Sequence, residues 1–180
     1  MFTAMKRGAA GMAKLRGKVA ATSSVEMVEV VLPNDANLLG NILGGKVMHL
    51  IDIAGAIAAH RHSRSAVVTV SVDDLDFVLP IRVGQLIILQ ASVTRAFRTS
   101  IEVAVKVYRE DLITGERRQT SSAFVTYVAL DEKGQPKRVP PVIPRTAEGK
   151  REYREAMSRR RHRLAAAARA HRLYFEEKKT

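Results

Sequence analysis

Cysteine is absent from the 180 residues, which excludes disulfides, thiolate metal sites and a cysteine nucleophile, and suits a reducing compartment. No apolar run reaches the roughly eighteen residues that a membrane-spanning helix needs. The best candidate, "NILGGKVMHLIDIAGAIAAH", is interrupted by His49 and Asp52. Acidic residues are missing from positions 1–24, and the same stretch lacks the apolar segment of a secretory signal and the amphipathic arginine pattern of a transit peptide. The common catalytic signatures are missing too: there is no Walker loop, no G-x-G-x-x-G, no H-E-x-x-H and no G-x-S-x-G. Internal repeats are absent as well.

The charge is distributed unevenly. Of the formal +12, residues 1–24 contribute five Lys or Arg with no acid, and residues 144–180 contribute twelve basic and five acidic residues. Residues 25–143 hold 13 of each sign. A neutral middle with basic ends is the reverse of a nucleic-acid-binding core, so no nucleic-acid partner is expected. Three parts follow. Residues 1–24 form a basic N-terminal extension, disordered or loosely docked; residues 25–143 form the folded domain; residues 144–180 form a basic C-terminal extension, helical from about Thr146 to Glu177. The arginines of that helix read as a solvated face, and both extensions read as dispensable for chemistry.

Within the middle, hydrophobic period changes along the chain. "VEMVEVVLP" from Val25 has the alternation of a strand. A turn at Asn37–Asn41 leads into a proline-free apolar helix from Ile42. Period two returns in residues 66–80, 85–97, 100–110 and 117–130, joined by short links containing Gly84, Arg98-Thr99 and Gly115. The order β-α-β-β-β-β with short late links predicts an α+β fold, an antiparallel sheet with one long helix packed on a face. In the first long strand, alternation sets Val68, Val70 and Val72 on one face and Thr69, Ser71, Asp73, Leu75 and Phe77 on the other.

The helix raises the chemical question. At 100° per residue, Gly44, Met48, Asp52, Gly55 or Ala56, and Ala59 share a side that is small and apolar apart from one carboxylate. An unpaired buried carboxylate costs several kcal/mol, so Asp52 needs a partner, a raised pKa or a function. His60 and His62 lie on different sides near the helix end, where a cationic His favours the dipole, and they do not make a metal site. His49 falls off the Asp52 side and reads as a flank or interface residue.

Asn37, Gly40, Gly44, Gly45, Met48 and Asp52 form N-x-x-G-x-x-x-G-G-x-x-M-x-x-x-D. This motif resembles that of the hotdog-fold acyl-CoA thioesterases of the acyl-CoA hydrolase family. The resemblance continues through Val68, Asp73, Phe77, Pro80 and Gly84 and spans residues 25–143. Gln85, Asp76 and Phe97 depart from the usual pattern without touching Asn37 or Asp52. The resemblance implies a sheet wrapped round a helix, and subunits paired into one continuous sheet with Asn37 and Asp52 meeting across the interface. It also implies hydrolysis of acyl-CoA to fatty acid and CoA, without metal or cofactor.

The residues offer what that reaction needs. Asp52 acts as general base on water or as a nucleophile forming an anhydride. Asn37 orients the water or the thioester, and the N–H of Gly45 at the helix start stabilises the oxyanion. Gly44, Met48, Thr69 and Ser71 are expected near the acyl group. Arg98, Thr99 and Ser100, with Lys137 and Arg138, are candidates for the CoA phosphates. Two alternatives stand beside this reading: a thioesterase acting on acyl carrier protein, and a non-catalytic acyl-CoA-binding regulatory protein. The expected state is a homodimer with shared sites, leaning towards a hexamer of three dimers, in the cytoplasm or a mitochondrion.

Overall fold

A computed structural model describes residues 15–177. Residues 1–14 of the expected N-terminal extension lie outside the described residues. The elements in chain order are β1 (Lys18–Val19), β2 (Val25–Val30), α1 (Gly44–Ser63), β3 (Val67–Phe77), β4 (Leu86–Ala96), β5 (Ser100–Glu110), β6 (Arg117–Ala129), β7 (Val142–Ile143) and α2 (Ala147–Glu177). The four long strands begin and end within a few residues of the alternating segments. Loops whose geometry suits glycine separate them, as at Gly84 with φ +85° and Gly115 with φ +69°.

Strands β2-β4-β5-β6-β3 form one antiparallel sheet in that order, so β2 and β3 are its edges. Helix α1 lies across one face. Its buried stripe of Val47, Leu50, Ile51, Ala54, Ala58 and Ala59 meets Leu89, Val103, Val105, Val125 and Tyr127 of the sheet. This is the α+β hotdog arrangement, with the helix enclosed by the sheet. Helix α1 stops at Arg64, which takes the left-handed conformation at φ 53° and donates its N–H to the His60 carbonyl. No helix among the described residues is long and apolar enough to cross a membrane.

Strand β3 does not keep the simple alternation. Its register with β6 shifts between Thr69 and Ser71 and again between Asp73 and Asp76. Each bulge adds one residue and reverses the faces. Thr69 pairs with Tyr127 and points towards α1, whereas Ser71 pairs with Thr126 and Asp73 with Phe124 on the opposite face. Phe77, beyond the second bulge, returns to the α1 side opposite Ser121. The valines divide likewise: Val68 and Val72 do not share a face. Val68, Val70 and Val72 are about half exposed along this unpaired edge.

Both extensions are more tightly docked than their composition implies. Lys18–Val19 pairs in parallel with Val142–Ile143, and Lys18 Nζ donates to the His62 carbonyl at 2.6 Å. The first half of α2 packs on the outer face of the sheet, away from α1. Ala156 is fully buried, and the Arg95 guanidinium stacks 4.1 Å from the Tyr153 ring. Arg159 lies 3.6 Å from the Phe124 ring and bonds Glu102 at 2.8 Å and 3.1 Å. Glu102 is 0 % exposed, which explains why arginines that read as solvated are held down: a buried carboxylate requires a cation. From Leu164 to Ala170 the helix is exposed.

Candidate active site

Asp52 stands in the middle of α1 and is half-buried. The Thr69 hydroxyl of β3 donates to its Oδ1 at 2.6 Å. Tyr127 of β6, the register partner of Thr69, donates its hydroxyl to the Asp52 backbone carbonyl at 2.9 Å and comes within 3.5 Å of Oδ1. Burial, and then the Asp52 charge, push the Tyr127 phenol well above its ordinary pKa, so it remains a neutral donor. Among the described residues no cation pairs with Asp52, and its Oδ2 accepts no hydrogen bond. The partner that a lone helix carboxylate demands is therefore a pair of hydroxyls on adjacent strands.

Gly55 makes the Tyr127 contact possible. A Cβ at that position would lie 2.3 Å from the Tyr127 hydroxyl oxygen. Sequence reasoning placed Gly55 on the Asp52 side but missed Tyr127. The available signal was a glycine three residues after an acid in an otherwise apolar helix, where glycine costs about 1 kcal/mol relative to alanine and marks a close approach.

The second group of expected residues lies at the start of α1. Asn37 Oδ1 accepts the N–H groups of Leu39 at 2.9 Å and Asn41 at 3.2 Å, shaping the turn with Gly40 at φ +74°. The Asn37 side chain is exposed. Leu43 occupies the N-cap without any side-chain cap. Lys46 and Val47 donate back to the Leu43 carbonyl, while the Gly44 and Gly45 N–H groups point ahead of the helix. A cavity of about 390 Å³ opens here, lined by Asn41, Gly44, Val47, Phe77, Leu79 and Ser121. Gly45 and Asp52 are separated by about 10 Å of helix rise, with exposed Met48 between them. A single chain thus carries two half-sites and does not join them.

The remaining expected residues are dispersed. Ser71 faces away from α1, because the bulge after Thr69 turns it to the outer surface, where it donates to Asp73 Oδ1 at 2.8 Å. Arg98 and Arg138 line one cavity of about 220 Å³ with Leu15, Phe97, Val139 and Pro141. Thr99 is half-buried beside them. Ser100 is buried and accepts from Arg160 Nη1 at 3.2 Å. Lys137 belongs to a different cavity, with Arg64, Asp131 and Lys133.

His62 differs from the expected cationic cap. It is fully buried, with Nε2 2.9 Å from the Pro140 carbonyl and Nδ1 3.4 Å from Ser23 Oγ. The carbonyl requires the proton on Nε2, so Nδ1 accepts from the serine. Burial lowers its pKa, and it is a neutral core residue. His49 and His60 are exposed. No cluster of three metal-ligating side chains occurs among the described residues.

The profile of the Thioesterase superfamily matches residues 39–116. The chain is 43% identical over 126 residues to the acyl-CoA thioester hydrolase YkhA of Bacillus subtilis, covering 70% of this chain and 73% of that protein. Mammalian relatives are longer: the match to acyl-coenzyme A thioesterase 11 of Mus musculus, at 41% identity, spans 23% of its length. Among solved structures, an apo-hexameric acyl-CoA thioesterase superposes with a TM-score of 0.83 at 44% identity, over 86% of this chain and 99% of that one. The acyl-CoA hydrolase of Staphylococcus aureus, solved with butyryl coenzyme A and coenzyme A, gives a TM-score of 0.82 at 33% identity, over 87% and 95%. That protein has also been solved as single alanine variants of an asparagine, an aspartate and a threonine, spaced along its chain as Asn37, Asp52 and Thr69 are here.

Proposed function

This chain belongs to the hotdog-fold acyl-CoA thioesterases, and on that premise we propose that it hydrolyses acyl-CoA thioesters to the free acid and CoA at a site shared between two subunits. The observation that carries the reading is the Asp52 carboxylate, oriented through one oxygen by Thr69 and free at the other. That free oxygen takes a proton from water, or attacks the thioester carbonyl itself. Its counterpart is the uncapped start of α1, where the Gly45 N–H meets the developing oxyanion and the helix dipole favours the negative charge. Asn37 supplies an exposed amide that orients the water or the carbonyl. Met48 and Gly44 line the approach of the acyl chain, and Arg98 and Arg138 face the phosphates of CoA.

Because Asp52 and Gly45 are about two helical turns apart in one chain, the reaction takes Asp52 from one subunit and the Asn37–Gly45 segment from the other. The open edge of β3 supports such pairing, and the hexameric state of a similar thioesterase supports three dimers. We place the reaction in the cytoplasm, whose reducing conditions suit a chain without cysteine.

Subunit complementation tests this reading. Asn37→Ala and Asp52→Asn are each expected to be nearly inactive when release of free thiol from acyl-CoA is followed. Co-expressed, they form mixed dimers with one intact site, and activity returns to about a quarter of wild type on random two-fold pairing. Absence of recovery, with both variants folded and assembled, would refute the shared site. A panel of acyl-CoA and acyl carrier protein donors distinguishes the carrier: turnover confined to the latter would refute acyl-CoA as substrate.

A further inference from the structure

We propose that Arg163 of α2 and Asp73 of β3 form a positioning pair on the outer face of the sheet, which fixes the Thr69 hydroxyl against Asp52 on the inner face; this rests on the reading of Asp52 as the reacting carboxylate. Thr69 occupies an awkward position for an orienting group. Within one subunit β3 is an edge strand, paired only with β6, and its register breaks immediately after Thr69 and again after Asp73. A bulge removes ladder hydrogen bonds and bends the strand. The backbone that must hold a 2.6 Å contact to Asp52 is thus poorly constrained by its own sheet.

The constraint comes from behind. The segment between the two bulges is turned outward, and there Ser71 Oγ donates to Asp73 Oδ1 at 2.8 Å while Asp73 Oδ2 accepts from Arg163 Nη1. The Arg163 and Asp73 side chains are 13% and 17% exposed, so solvent screens the pair little. Arg163 is itself fixed, with Nη1 3.8 Å from the fully buried Glu102 of β5. Glu102 also accepts from Arg159 at 2.8 Å and from Thr94 at 2.7 Å. Arg159 covers Phe124, the register partner of Asp73. One carboxylate and two guanidinium groups therefore tie α2, β3 and β5 together on the outer face. Tyr127 and Thr69 hold Asp52 on the inner face of β6 and β3. A planar, permanently charged guanidinium suits this two-sided anchoring.

The test measures kcat and KM for acyl-CoA hydrolysis, with melting temperature, on Arg163→Met and Asp73→Asn. Each is made alone and in a Thr69→Ala background. Displacing an orienting group by a fraction of an ångström to 1 Å costs about tenfold to a hundredfold in rate. Both substitutions are expected to lower kcat by that factor with KM nearly unchanged, and Arg163→Lys to recover part of it. In the Thr69→Ala background neither should cost more, because the hydroxyl they position is gone. An unchanged kcat in the folded variants would overturn the proposal. So would the same fold-loss with and without Thr69, since that marks a general loosening of the sheet. If Arg163→Met fails to fold, the nearly isosteric Asp73→Asn carries the same comparison. Asp52→Asn is measured alongside: full activity there would overturn the catalytic reading and the positioning role together, whereas loss there with unaffected Arg163 and Asp73 variants would overturn the pair alone.

Discussion

Replacing Gly55 by alanine should destabilise the protein, although alanine is the better helix former by about 1 kcal/mol. The added methyl carbon would stand 2.3 Å from the Tyr127 hydroxyl oxygen and 3.0 Å and 3.1 Å from Cζ and Cε2 of its ring. Ordinary contact for such atoms begins at about 3.4 Å, so the hydroxyl must retreat by roughly 1 Å. The Tyr127 ring is 0 % exposed and cannot swing into free space. The retreat stretches its 2.9 Å bond to the Asp52 carbonyl beyond hydrogen-bonding range. Overpacking costs about 1–3 kcal/mol, and a lost buried hydrogen bond about 1 kcal/mol more. Set against the propensity gain, the net loss is about 1–3 kcal/mol, or roughly 2–12 °C in melting temperature for a chain of this size. The assay is a set of thermal melts on wild type, Gly55→Ala, Tyr127→Phe and the double variant. Phenylalanine removes the clashing oxygen, so the double variant should melt higher than the sum of the two losses allows, by about 1 kcal/mol or more of coupling. A Gly55→Ala protein melting at or above wild type, or strict additivity with Tyr127→Phe, would refute the reasoning.

Asp52→Asn keeps the size and the Thr69 contact but cannot take a proton, so kcat should fall roughly 10²–10⁴-fold with a near-native melting temperature; a stable variant with native kcat in a single-turnover assay would end the catalytic reading. Deleting residues 164–180 removes an exposed length of α2 and should leave melting and turnover close to wild type. Starting the deletion at residue 150 also removes Tyr153, Ala156, Arg159 and Arg163, and should lower the melting temperature clearly; equal melts for the two truncations would contradict the docking of α2. His62 is held neutral by burial, so its folded pKa lies below its unfolded value. Stability is therefore full above about pH 6.5 and declines as the pH falls from there through the folded value, because the unfolded chain gains a proton that the folded one resists. Melts between about pH 7.5 and 5 should show a flatter slope for His62→Gln than for wild type, and parallel slopes would count against the buried neutral histidine.

Much of this architecture is written in hydrophobic period. The alternation in residues 66–130 locates four strands within a few residues, and the proline-free apolar run from Ile42 locates α1. Asp52 announces itself as the lone carboxylate on a side of small residues. What the pattern misreads are places where tertiary contacts override local rules. Alternation assigns Ser71 and Asp73 to the face of Thr69, because it has no way to register an extra residue at each bulge. Composition reads Arg159 and Arg163 as solvated, since their partner Glu102 lies 57 residues from Arg159 and looks like any other polar position in an alternating strand. His62 reads as a surface cap because the carbonyl that holds it belongs to Pro140, 78 residues away. Pairings of two residues, such as β1 with β7, leave no periodic signal at all.

The bare edge of β3 also bears on how the protein comes into being. A newly folded subunit exposes an unpaired strand and the flanks of Val68, Val70 and Val72, the features that invite indiscriminate strand addition. The correct encounter is second order in subunit concentration, and so is the wrong one. Yield then depends on which collision is faster, and the two bulges bias that race: they twist the edge so that only a strand with matching irregularities can pair along its full length. On this view the bulges of β3 act before any substrate arrives, as a filter on the company the subunit keeps.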